Sequence, residues 1–100
     1  MKTIFQTLQD YLLDLVYEGF KDVKTAEVVN SADRFKPGVV LRVFGKEFYV
    51  EFLSWDTINR KFAIRVSTPD GKAERRVIGE DLEAKLIGAQ IQEAVHELLA

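Results

Sequence analysis

The sequence predicts an α+β fold: an antiparallel β-meander of four to five strands, with an N-terminal and a C-terminal helix packed on one face. Three observations carry this. Both ends of the 100-residue chain repeat apolar residues at spacings of three and four, as amphipathic helices do. The middle alternates apolar and polar residues over short runs, as half-buried strands do. Between those runs stand Pro37-Gly38, Gly45-Lys46 and Pro69-Asp70-Gly71, turn signals too closely spaced for parallel crossovers.

The first element is a helix over Thr3–Glu18. Thr3 and Gln6 suit a capping box, and Gly19 suits the left-handed residue that ends a helix. Ile4, Phe5, Leu8, Leu12, Leu15 and Val16 form a central stripe. Tyr11, Leu13 and Phe20 widen it to roughly 200°, where about 100° serves one core contact. A helix this apolar is expected to be covered on more than one side, which favours an interface. "AEVVNS" is a moderate first strand, and "DRFKPG" a turn-rich connection. "VVLRVF" and "EFYVEFLS" read as a hairpin. A two-residue Gly45-Lys46 loop would pair Phe44 with Glu47, Arg42 with Tyr49, Leu41 with Val50 and Val39 with Phe52. "KFAIRVS" follows the "WDTINR" loop, and "AERRVI" returns after "TPDGK". That last strand is the least apolar and belongs near an edge, where charge blunts unwanted pairing. Its register is open: one loop length puts Glu74 and Arg76 in phase with Val66 and Ile64, another puts Arg75 and Val77 there. The chain closes with a helix over Asp81–Leu99. Asp81 is its candidate N-cap, with Glu83 at the positive end of the dipole. Ala84, Ile87, Ile91, Ala94, Val95 and Leu98 form its apolar stripe, and Leu82, Leu86 and Ala89 a smaller second strip.

Alternation sorts the sheet into two faces. Val39, Leu41, Val43, Phe48, Val50, Phe52, Phe62, Ile64 and Val66 are in phase and face the helices. The outer face then carries Val40, Arg42, Phe44, Tyr49, Glu51, Leu53, Ala63 and Arg65. A face turned to water should not hold so many apolar groups unless something covers it. Aromatic, aliphatic and Arg side chains together are the composition of interface cores. Arg42, Phe44, Tyr49 and Leu53 are therefore the candidate contact residues for a homodimer or a partner protein.

Composition bounds the rest. Hydrophobic residues make up 47% of the chain, enough for one core, and the whole length reads as a single domain, residues 1–100. There is no cysteine, which removes disulfides, thiolate nucleophiles and Cys metal sites and fits a reducing, cytoplasmic setting. No run approaches the roughly 20 apolar residues of a membrane span, and the N-terminal stretch lacks the unbroken apolar core of a signal peptide. Net charge is −2 but uneven. Residues 1–29 carry three Lys against five acids, residues 30–79 ten Lys or Arg against six, and residues 80–100 one Lys against five. The acidic ends are expected to pack near the basic middle and neutralise it.

Signals for chemistry are thin. His96 is the sole histidine, with no Ser or Asp fixed beside it by spacing. Asp10, Asp14 and Glu18 recur at i, i+4 and read as a solvated face. Asp56 and Asp70 read as turn residues. The glycines match no phosphate-cradling loop. No catalytic residue, metal site or cofactor is expected, and the chain reads as non-enzymatic: an adaptor, chaperone or inhibitor type of interaction domain. Two alternatives stand beside it. A single-stranded nucleic-acid binder would stack bases on the sheet aromatics and hold phosphates with Arg42, Arg65, Arg75 and Arg76. Glu47 and Glu51 lie among those groups and make nucleic acid the less favoured partner. A small inhibitor encoded by a mobile element would use its surface as any protein-binding domain does.

Overall fold

Each element forms where its periodicity places it, and a few close contacts fix how the elements meet. The structure, a computed structural model, describes residues 4–23, 26–30, 38–56, 58–59, 61–80 and 84–99. The Thr3–Gln6 box, the Ile4 and Phe5 side chains, residues 31–37, the Asp81 cap with Glu83, and Leu82 lie outside the described residues.

The order is α1 (Ile4–Phe20), β1 (Ala26–Asn30), β2 (Gly38–Val43), β3 (Lys46–Asp56), β4 (Lys61–Ser67), β5 (Glu74–Glu80) and α2 (Ala84–Leu99). The strands make one antiparallel sheet in the order β1-β2-β3-β4-β5, a meander in which every neighbour in sequence is a neighbour in space. Both helices cover the same face. The core is Leu12, Leu15 and Val16 from α1, Ile87, Ile91 and Val95 from α2, and the inward strand positions, all almost fully buried. Those strand positions are Val39, Leu41, Val43, Phe48, Val50, Phe52, Ile64 and Val66, as alternation assigns them, together with Val77; Phe62, assigned to the same face, is partly buried against them.

The broad apolar stripe of α1, from Leu8 to Phe20, packs within the chain. Tyr11 stacks on Phe52, with ring centroids 6.3 Å apart, and meets Phe62 edge-on at 6.0 Å. Leu8 and Leu13 are partly buried against the same core. The helix lies against both α2 and the sheet, so its width is no sign of a partner.

Gly19 does not end α1. The helix runs on through Phe20, and Gly19 lacks the positive φ of a left-handed terminator. It is a contact residue instead. A Cβ on Gly88 of α2 would lie 2.6 Å from the Gly19 nitrogen and the Leu15 carbonyl oxygen, and a Cβ on Gly19 would run into the Gly88 carbonyl. The two glycines let the helix backbones touch. Gln9 ties α1 to the sheet: its Nε2 donates to the Gly38 carbonyl at 2.5 Å, and the Gly38 N–H donates to its Oε1 at 2.7 Å.

Three registers refine the sequence reading. The β2–β3 loop is Phe44-Gly45, not Gly45-Lys46, so Arg42 faces Glu47, Val40 faces Tyr49 and Leu41 faces Phe48. Both loop residues have positive φ, +53° and +77°, as a type I′ turn demands. The pairing moves by two residues, which leaves every side chain on its expected face. Between β3 and β4, Phe52 pairs with Ile64 and Ser54 with Ala63, leaving Leu53 as an inserted bulge residue. The bulge reverses the phase beyond it, so Trp55 turns back to meet Phe52 edge-on at 6.5 Å. In β5, Val66 faces Arg75 and Ile64 faces Val77, which settles the open register. Arg75, Val77 and Gly79 share the helix side, and Gly79 leaves room for the Phe62 ring opposite it.

Candidate interaction surface

The outer face has a charged half, and the far end of the sheet is apolar. The charged half is built by cross-strand pairing. Glu27 of β1, Arg42 of β2 and Glu47 of β3 lie in one row. Arg42 Nη1 donates to Glu27 Oε1 at 2.8 Å and Nη2 to Glu47 Oε1 at 3.4 Å. These bonds, Glu27 first, raise the Arg42 pKa above its usual value. A second row holds Glu51, Arg65 and Arg76. Arg65 Nε donates to Glu51 Oε1 at 2.8 Å and its Nη2 contacts the same oxygen. Glu51 is only 8% exposed, so this carboxylate has been taken out of water and depends on Arg65. Glu74 joins the row, 3.8 Å from both Arg65 and Arg76.

The candidate contact residues stand in different settings. Arg42 belongs to the ion-pair row. Tyr49 stands on the outer face between Val40 and Ser67 and is 36% exposed. Phe44 is 64% exposed but sits in the turn, beyond the paired face. Leu53 is the bulge residue and half-buried. The candidate phosphate contacts are likewise engaged: Arg65 with Glu51, Arg76 near Glu74, and Arg75 on the helix side, donating to Glu97 of α2 at 2.9 Å.

An apolar end lies beyond it, around the tip of the β3–β4 hairpin and β5, with Ala63 and Ile78 on the outer face and Trp55, opposite Phe62, on the helix side. A shallow hollow of about 230 Å³ is walled by Ser54, Trp55, Lys61, Ala63 and Ile78. Ile78 is 63% exposed, Trp55 41% and Ile58, at the hairpin tip, 90%. Asp56 shapes that tip. Its Oδ1 accepts from the Ile58 and Asn59 N–H groups at 3.0 and 3.1 Å, and its Oδ2 from Asn59 Nδ2 at 2.7 Å. The Asn59 side chain above all holds this carboxyl below its usual pKa. Asp70 does the same in the β4–β5 turn, accepting from Thr68 Oγ1 at 2.6 Å and the Lys72 N–H at 3.0 Å, with its pKa lowered chiefly by Thr68. Sequence reasoning missed Ile58 and Ile78 as a group. The Leu53 bulge and the β5 register both have to be known before the residues fall together.

His96 is exposed in the last turn of α2. Asp14 is exposed on α1, and Glu18 lies 3.4 Å from Lys21. Among the described residues no three His, Asp or Glu side chains are placed to hold a metal ion. No described helix is long and apolar enough to cross a membrane. Comparison of the chain with protein-family models, with curated proteins and with solved structures finds no significant match.

Proposed function

We propose that this protein is a non-enzymatic protein-binding domain, cytoplasmic as its cysteine-free sequence suggests, that engages its partner with the far end of its sheet. The exposure of Trp55 and Ile78 beside one hollow, with Ile58 exposed in the β3–β4 turn, carries the reading. Scattered exposed apolar residues are ordinary, but adjacent ones rimmed by polar groups mark contact surfaces. Trp in particular anchors interfaces, because a large rigid ring gains area at low entropic cost. The arginines weigh against a nucleic-acid partner. Among the described residues, Arg42, Arg65, Arg75 and Arg76 are each within reach of a carboxylate, so binding phosphate there would first mean separating an existing ion pair.

Light scattering together with capture from lysate on the immobilised chain tests this. An associating protein, its own copy or another, should be lost with Ile78→Lys and kept with Tyr17→Lys, which alters an exposed position on α1. No associating protein, or one indifferent to Ile78→Lys, overturns the reading. So does a salt-sensitive shift of a mixed single-stranded oligonucleotide pool that survives Ile78→Lys.

A further inference from the structure

We propose that the free edge of β5 is the seam of a two-fold dimer, in which β5 pairs antiparallel with β5 of a second copy and Ile78 lies on the axis. This rests on the protein-binding reading and names the partner. The sheet has two edges, and they differ. β1 is five residues long and its pairing is interrupted between Val28 and Asn30. A short, bulged edge is a poor template for a further strand. β5 is seven residues long and pairs with β4 without interruption from Glu74 to Glu80, so its outward N–H and C=O groups form a regular row. No other described strand lies beyond it.

The edge has an exposed apolar residue on one side and a largely polar groove on the other. Ile78 stands on the outer face. On the helix side, a groove of about 260 Å³ runs between β5 and the Gln90, Glu93, Ala94 and Glu97 side of α2. Leu86, 52% exposed, continues that helix stripe one turn before Gln90. Extending the sheet across the edge would bring the two α2 helices side by side and cover both residues.

Charge selects the register. Two-fold antiparallel pairing sets each residue against one equally far beyond the centre. Centring on Arg75 or Arg76 sets an arginine against itself. Centring on Val77 sets Glu74 against Glu80 of the second copy. Centring on Gly79 sets Ile78 against that carboxylate. Centring on Ile78 sets Arg76 against Glu80 twice, by symmetry, and Ile78 against its own copy, with no like charges opposed along the two strands. Opposite charges across strands stabilise pairing and like charges oppose it. The arginines of this edge then choose a partner as well as discourage indiscriminate stacking.

Sedimentation equilibrium or light scattering over a concentration series reads the outcome. The mass should climb from 11.4 kDa toward twice that value. Arg76→Glu alone, or Glu80→Arg alone, should weaken self-association by about tenfold, since each sets like charges opposite at two symmetric positions. The double variant R76E/E80R should restore it. The chain has no cysteine, so Ile78→Cys should give a disulfide-linked dimer under mild oxidation, whereas Lys46→Cys should not. A monomer at every concentration overturns the second copy as partner. A dimer that ignores both charge reversals but dissociates with Trp55→Ala overturns the edge seam and leaves the protein-binding reading standing. Circular dichroism of each variant separates lost association from lost fold.

Discussion

At the scale of single residues, Phe44 pays a conformational cost that its surroundings do not return. Its φ of +53° lies in the left-handed region, which costs a bulky residue about 1–2 kcal/mol. Its side chain is mostly exposed, so little burial offsets that. Gly45 after it carries a positive φ freely. Phe44→Asn would create the Asn-Gly pair that type I′ turns favour. It should raise stability by about 1 kcal/mol in urea unfolding, with the slope of the transition unchanged. A loss of stability would mean that Phe44 packs in a way its exposure hides. The same residue shows where local reading stops. The positive φ of a non-glycine turn residue could not be anticipated, because placing the loop one residue later leaves all the strand faces identical. The Gln9 clamp on Gly38 gave no local signal either, since its partners lie 29 positions apart. The roles of Asp56 and Asp70 were legible, because their hydrogen bonds reach only two or three residues along the chain.

Among elements, the helix pair turns on Gly19 and Gly88. Glycine within a helix costs about 1 kcal/mol relative to alanine, so two facing glycines need a reason, and the touching backbones supply it. Gly88→Ala should therefore defeat its own propensity gain. The added methyl would press on the α1 backbone at Leu15 and Gly19, which cannot give way as a side-chain tip can. A net loss of about 1–3 kcal/mol in chemical unfolding is expected, the usual cost of overpacking. A stabilised variant would mean that the helices can separate without penalty. Helix existence and strand phase were readable because each element buries one face, and that face writes a period of 3.6 or 2 into the chain. The helix crossing was not readable, since Gly19 equally suits a terminator and only the distant Gly88 decides between the two. The Leu53 bulge was hidden for a related reason: an inserted residue shows only against the strand it fails to pair with.

Over the whole molecule, the uneven charge of the chain is resolved differently from the simplest expectation. Arg75 with Glu97 does join the basic sheet to the acidic α2. Among the described residues, however, pairing also runs across the sheet itself, along the rows of Glu27, Arg42 and Glu47 and of Glu51, Arg65 and Arg76, with Glu74 beside them. One face of the sheet is covered by helices, half of the other carries these rows, and Trp55, Ile58 and Ile78 stand exposed toward the far end. The pairs differ in weight. Exposed ones such as Arg42 with Glu27 contribute about 0–1 kcal/mol and fade with salt. Glu51 is buried, and removing Arg65 would leave a carboxylate without its partner in a poorly solvated place. Arg65→Met should thus cost about 1–3 kcal/mol, the penalty of an unsatisfied buried polar group. The double variant Glu51→Leu with Arg65→Met should recover most of that loss, because an apolar pair of similar volume leaves nothing unpaired. Urea unfolding of the two single variants and the double closes the cycle. Additive losses would show that Glu51 and Arg65 act independently, and the outer face would then owe its charged half to strand pairing alone.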